Sequence, residues 1–336
     1  MKKIITVTGE IPLSACRMVL SHEHLFIDLT NQKAAGALVR PLLKSDHDKL
    51  MCDPYCMQDN LLINDFRLAV NECRMLLESN CNTVVDCSTT EIGRDPEKLH
   101  RLALETGMNI VMGCGYYTQD THPAYFARMS ETEAAEKLIS EVVNGINGIR
   151  PGVIGEIGTS AELLKDEKKA LLAAAKAHQA SGLAVQVHIY PWSTNGLPAA
   201  QILLDNGVRA DKIVICHSDV EPQWDYIRTL LKLGVWVELD NFGKEFTPAD
   251  GGFASGKFIK DAERAKLAAE IIDAGYGKQL LLTNDICLKC MLTDFGGKGY
   301  RHIFDTVVPL ISGYGISENY LKTEILRENP LNMLAI

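Results

Sequence analysis

Six side chains carry chemistry in this sequence: His22, His24, Glu156, His188, His217 and Asp285. They sit in short apolar runs, at or near the end of each: MVLSHEHLF (18–26), GVIGEIG (152–158), AVQVHIY (184–190), KIVICHSD (212–219) and QLLLTND (279–285). Imidazole nitrogens and carboxylates are the donor set of Zn²⁺ and related divalent ions. A His-x-His pair alone means little in a chain with 9 His among 336 residues. Strand side chains alternate, however, so His22 and His24 share one face while Glu23 points away. A lone histidine in an apolar strand is usually a satisfied core residue; four of them at strand ends point to a metal site. Six ligands are too many for one tetrahedral zinc and fit two ions about 3.5–4 Å apart. In that arrangement His22, His24 and Asp285 hold one ion, His188 and His217 hold the other, and Glu156 bridges them. Zn²⁺ is the expected metal, with Mn²⁺, Co²⁺ or Fe²⁺ as alternatives.

Such convergence needs a scaffold that brings strand ends together. Three further runs, TVVDCST (83–89), NIVMGCGYY (109–117) and VWVELDNFG (235–243), make eight near-continuous apolar segments of the kind buried on both faces in a parallel sheet. Helical patterns fill most gaps, at 65–79, 95–107, 135–145, 166–182, 199–207, 224–234 and 262–275, and most of them stop at glycine. Alternation of this kind predicts a (β/α)₈ TIM barrel with catalytic groups at the C-terminal ends of its strands. An open doubly wound sheet is the competitor, but no glycine fingerprint for a nucleotide follows any strand. Residues 1–336 are expected to form one domain, with the irregular stretch 31–58 lying over the barrel mouth.

Composition narrows the function classes. With 34 Lys+Arg against 43 Asp+Glu the net charge is −9, which argues against a nucleic-acid surface. No apolar run approaches the roughly 18 residues of a membrane span, and the N-terminus lacks a signal-peptide core, so a cytoplasmic protein is expected. The 10 Cys are scattered, and reduced thiols are expected, Cys287 and Cys290 included. His47, His100, His122 and His178 read as packing or surface residues, and His302 as a candidate for the mouth.

The segments LSHEHLFID, VIGEIGTS, VQVHIYP, VICHSD and LLTNDICLK, in this order and spacing, resemble the phosphotriesterase family of the amidohydrolase superfamily. VDCSTTEIGRDPEKLHRLALETG, VWVELDNFGKEF and LTDFGGKGYRHI are similar to its phosphotriesterase-related branch. The resemblance implies the same two-metal assignment, with Glu156 where the organophosphate-hydrolysing enzymes carry a carboxylated lysine. It also implies a hydrolase of small molecules and suggests a homodimer.

The reaction that the resemblance implies is attack of a metal-bridging hydroxide on a small polar lactone of the sugar-lactone type, with Asp285 handling the proton. Hydrolysis of a phosphotriester, ester or N-acyl amide is the alternative, and a catalytically inactive binding barrel is the reading from another class. Candidate substrate contacts just past the strand ends are Tyr117 (favoured over Tyr116 by strand alternation), Arg94, Asn241, Lys244, Lys289 and Arg301. Glu245 and Tyr300 are further polar candidates.

Overall fold

A computed structural model describes residues 2–248 and 258–336. Among them are twelve strands. A hairpin of β1 (Lys3–Thr6) and β2 (Gly9–Pro12) precedes β3 (Met18–Glu23), and a small pair, β4 (Ile27–Asp28) with β5 (Leu62–Ile63), brackets the mouth segment. Then come β6 (Cys81–Asp86), β7 (Asn109–Met112), β8 (Ile154–Gly158), β9 (Val185–His188), β10 (Ile213–Ile215), β11 (Trp236–Leu239) and β12 (Leu280–Leu282). β3 and β6–β12 coincide with the eight predicted runs.

These eight form parallel ladders in two arcs, β3-β6-β7 and β8-β9-β10-β11-β12. Two seams join the arcs. Between β7 and β8, Gly152 N donates to Met112 O at 2.9 Å and Gly155 N to Cys114 O at 2.6 Å. A Cβ at Gly113 would stand 2.3 Å from the Gly155 carbonyl, so the close approach requires glycine. Between β12 and β3, Thr283 Oγ1 donates to His22 O at 3.0 Å and Asp285 N donates to it at 3.3 Å. The result is the expected TIM barrel.

Period-two alternation sorts the core into two layers. Val19, Val85, Val111, Val153, Val214 and Leu281 pack with Cys87 and Cys216 in one cluster inside the barrel. Their neighbours Leu20, Val84, Ile110, Ile154, Ile213 and Leu280 face the helices. All seven predicted helices are present, from Phe66–Glu78 to Asp261–Ile271. The helix Pro96–Thr106 begins as its sequence dictates, with the Asp95 side chain accepting from Lys98 N, and stops at Gly107 in the left-handed region. Glu131–Asn144 starts four residues before the predicted 135, because Ser130 and Glu133 form a capping box ahead of the apolar pattern.

Two features were not expected. The β1–β2 hairpin packs against the N-terminal end of the barrel, where Val7 N donates to Ile110 O at 2.8 Å. The segment 31–58, read as irregular, contains a short helix, His47–Cys52. All 10 cysteines are free thiols, most of them buried. No helix among the described residues is long and apolar enough to cross a membrane.

Candidate functional site

The six predicted donors meet at the C-terminal end of the barrel, and all of them except His22 line a cavity of about 720 Å³. β3 delivers His22, with His24 just after it; β8 delivers Glu156 and β9 delivers His188. His217 and Asp285 lie beyond β10 and β12, where strand alternation no longer aims a side chain. Both adopt left-handed backbone, with φ of 55° and 47°. Non-glycine residues hold such φ values only where their surroundings fix them.

Distances define the cluster. Glu156 Oε1 lies 3.3 Å from His22 Nε2 and 3.2 Å from both His188 Nδ1 and His217 Nε2. Asp285 Oδ1 lies 3.1 Å from His24 Nε2 and 3.7 Å from His22 Nε2. His188 Nδ1 and His217 Nε2 are 2.9 Å apart. Two donors each about 2.0–2.1 Å from a tetrahedral zinc stand about 3.3 Å apart, so the separations are those of ligands sharing ions.

Tautomers support that reading. Ser88 Oγ donates to Phe26 O at 2.8 Å, which leaves it to accept from His24 Nδ1 at 2.9 Å. The His24 Nε2 lone pair then faces Asp285. Glu238 Oε2 takes His22 Nδ1 at 3.1 Å and Asp240 Oδ1 takes His217 Nδ1 at 2.9 Å, again directing Nε2 into the site. His22 Nε2 and Asp285 Oδ1 are buried with no hydrogen-bond partner among the described residues. Buried polar atoms are rarely left so, and a cation satisfies both. The donor set fits divalent metal ions.

The electrostatics agree. Burial pushes the Glu156 carboxyl up, yet the His188 and His22 imidazoles hold it well below the ordinary carboxylate range. Burial likewise opposes ionisation of Asp285, and the Lys244 ammonium, bonded to Asp285 Oδ2, outweighs it. Burial pulls His217 down, but Asp240 and Glu156 raise it to about 10. These carboxylates call for positive charge between them.

The substrate candidates divide. Tyr117, Asn241 and Lys244 line the cavity. The Tyr117 hydroxyl stands 3.3 Å from His188 Nδ1, while Tyr116 turns outward and donates to Ala134 O. Asn241 spends its amide on Asp219 and Asp240. Arg94, Lys289 and Arg301 do not line the cavity. Arg94 pairs with Glu141 at 3.0 Å and bonds Gly113 O, tying β7 to the helix Glu131–Asn144. Lys289 pairs with Asp59 at 2.6 Å, and Arg301 with Glu78 and Asp305. In each case a nearby carboxylate, invisible to strand counting, captures the cation. Tyr300 is buried and donates to His24 O at 2.8 Å, and Glu245 Oε1 accepts from Asp261 N. His302 bonds Asp261 at 2.6 Å beside a separate, smaller cavity.

Sequence reasoning missed Glu238, Asp240 and Ser88, which orient the histidines. Glu238 and Asp240 had a signal: they are two apart at the end of β11 and so share a face, as His22 and His24 do. Ser88 had none. Glu23 does point away from the site, and it is not idle. It accepts from Thr283 Oγ1, Asn284 N and Ile286 N, which fixes the turn carrying Asp285 against β3.

Comparison with known proteins places this architecture. The profile of the Phosphotriesterase family matches residues 2–334. The N-acetyltaurine hydrolase of Xenopus tropicalis is 33% identical over 343 residues, covering 99% of this chain and 97% of its own. The human N-acetyltaurine hydrolase is 31% identical over 352 residues with the same coverage. Among solved structures, a resiniferatoxin-binding protein from Rhodobacter sphaeroides superposes with a TM-score of 0.93 at 31% identity, covering 99% of this chain and 94% of that one. A mutant of the Deinococcus radiodurans phosphotriesterase-like lactonase gives 0.78 at 25% identity, covering 98% and 99%. With its barrel, its rim of histidines and carboxylates, and these full-length relatives, the chain belongs to the phosphotriesterase family of hydrolases.

Proposed function

We propose that this protein is a two-metal hydrolase of the amide bond in small N-acyl amines that carry an anionic group. The observation that carries the reading is one cavity whose floor holds both the His/carboxylate cluster and Lys244, the only Lys or Arg among its described lining residues. The curated relatives support it: N-acetyltaurine is an N-acyl amine ending in a sulfonate, and the relatives named for it align over nearly the whole chain.

His22, His24 and Asp285 would hold one ion, His188 and His217 the other, with Glu156 between them. Ions so held supply Lewis acidity that polarises the acyl carbonyl and acidifies water. The chain's own residues do the rest. Asp285 accepts a proton as water attacks the carbonyl carbon and delivers it to the departing nitrogen. The C–O bond forms, the C–N bond breaks, and the amine leaves neutral. Lys244 holds Asp285 Oδ2, keeping the carboxylate ionised and aimed. An ammonium has three N–H donors, so Lys244 also offers donors to an anionic group in the cavity. The Tyr117 hydroxyl donates to the acyl oxygen. Tyr190, Trp192, Phe246 and Phe258 wall off the body of the substrate from water.

The lactone reading is second. It is favoured by the fold similarity to the Deinococcus radiodurans lactonase, at 25% identity against 31–33% for the N-acetyltaurine hydrolases named above. Metal analysis and a panel of N-acyl aminosulfonates, N-acyl amino acids, neutral N-acyl amines and lactones decide between them. Turnover of anionic N-acyl amines above lactones is the expected result, and the reverse order sinks the amide reading. Binding without turnover of any of them, with metal loaded, returns the chain to a binding protein. Asp285→Asn should cost at least about 10²-fold in kcat, the scale of a lost general acid–base.

A further inference from the structure

We propose that Arg264 is a positioning residue for the metal site, acting on both of its halves through the loop 240–245. It lies on the helix Asp261–Ile271, touches none of the six donors, and does not line the cavity. Its side chain is completely buried. The inference rests on the metal reading of the cluster given above.

Two chains of contacts leave the guanidinium. In the first, Nε pairs with Asp219 Oδ2 at 3.2 Å. Asp219 accepts from Asn241 N at 3.1 Å and from Asn241 Nδ2 at 2.8 Å. The same Asn241 amide donates to Asp240 Oδ1 at 2.7 Å. Asp240 then grips His217 at two places, its backbone N–H at 2.9 Å from Oδ2 and its Nδ1 at 2.9 Å from Oδ1. In the second chain, Nη2 donates to Lys244 O at 3.2 Å, and Lys244 holds Asp285. Nη1 pairs with Asp261, whose Oδ1 also accepts from Gly243 N at 2.9 Å. One cation therefore pins the loop at Asn241, Gly243 and Lys244.

This arrangement answers a specific need. His217 and Asp285 both hold left-handed backbone, which non-glycine residues keep only where the surroundings over-determine it. Asp240 fixes His217 in that conformation, and the planar, five-donor guanidinium is the group suited to hold the loop from several directions at once. A lysine supplies the charge without the fork.

The test uses the full-length protein with zinc measured by competition against a chromophoric chelator, with no substrate present. Arg264→Lys should fold and lose at least 10-fold in affinity for both zinc ions, the usual cost of losing an outer partner of a ligand. After zinc saturation its kcat should fall at least 10-fold with KM within twofold. Asp219→Asn leaves Arg264 paired with Asp261, breaks only the first chain, and should show that loss for one of the two ions. It decides the matter if Arg264→Lys does not fold. Variants that bind both ions with native affinity, or that lose only melting temperature, overturn the proposal. A wild-type protein that binds no zinc removes the metal reading and this inference together, whereas native binding in wild type and variants alike removes this inference alone.

Discussion

The Lys244 ammonium and the Asp285 carboxylate form a buried ion pair at the floor of the cavity, although they come from loops beyond different strands, β11 and β12. Lys244 takes Oδ2 and leaves Oδ1 facing His24 and His22. The pair thus sets which oxygen of Asp285 can serve a metal or a proton. Lys244→Met should lower kcat/KM for anionic N-acyl amines by about 10²-fold, or about 3 kcal/mol, the cost of removing one partner of a buried charge pair. Neutral N-acyl amines should suffer less. Equal losses on both classes would show that Lys244 does not read the substrate's charge.

Glu238 is the outer partner of His22 and is itself buried, also accepting from Ser21 Oγ at 2.6 Å. Removing it frees the imidazole to rotate or change tautomer. Glu238→Ala should weaken zinc binding roughly 10–100-fold. Glu238→Gln, which keeps an acceptor, should retain more of it. The check is a chelator-competition titration, and native affinity in the alanine variant would contradict the assigned orientation.

Four carboxylates, Glu156, Glu238, Asp240 and Asp285, are buried together around the histidines. Ligation of cations there stabilises the folded state over the unfolded one. At a free zinc concentration about 100 times Kd the gain is about 2.7 kcal/mol, worth roughly 5 °C in melting temperature. Stripping metal with a chelator should lower the melting temperature by that order, and restoring zinc should recover it. A melting curve indifferent to zinc would count against a metal centre.

His178 offers a pH test away from the site. It is buried on the last turn of the helix Lys165–Ser181, with Nδ1 2.6 Å from Leu183 O. Burial pushes its pKa below the ordinary value of 6.5. The unfolded chain therefore binds more protons at this residue just below pH 6.5, and its contribution, full above 6.5, is lost as the pH falls further. The gap in urea midpoint between wild type and His178→Gln should be widest above pH 7 and narrow toward pH 5. A gap independent of pH would show that the imidazole does not titrate in this way.

Much of the fold was legible because its signals are local. Val19 and Leu20, or Val85 and Val84, alternate between the two core layers because strands have a period of two. Asp95, Pro96 and Gly107 fix a helix within a dozen residues. The β1–β2 hairpin was missed because KIIT and GEIP are too short to show a period.

Residue type and position in the strand pattern also determined the six donors of the candidate metal site. A His or carboxylate at the C-terminal end of a barrel stave has one rim to reach, whatever the details of packing. What only the tertiary structure decided were the pairings among side chains distant in sequence. Glu238 turns His22, Arg264 pins the loop beside His217, Lys244 takes one oxygen of Asp285, and Arg94, Lys289 and Arg301 are captured by Glu141, Asp59 and Glu78. A long cation has many rotamers and binds whichever carboxylate the fold brings within reach, and no periodicity along the chain encodes which one that is.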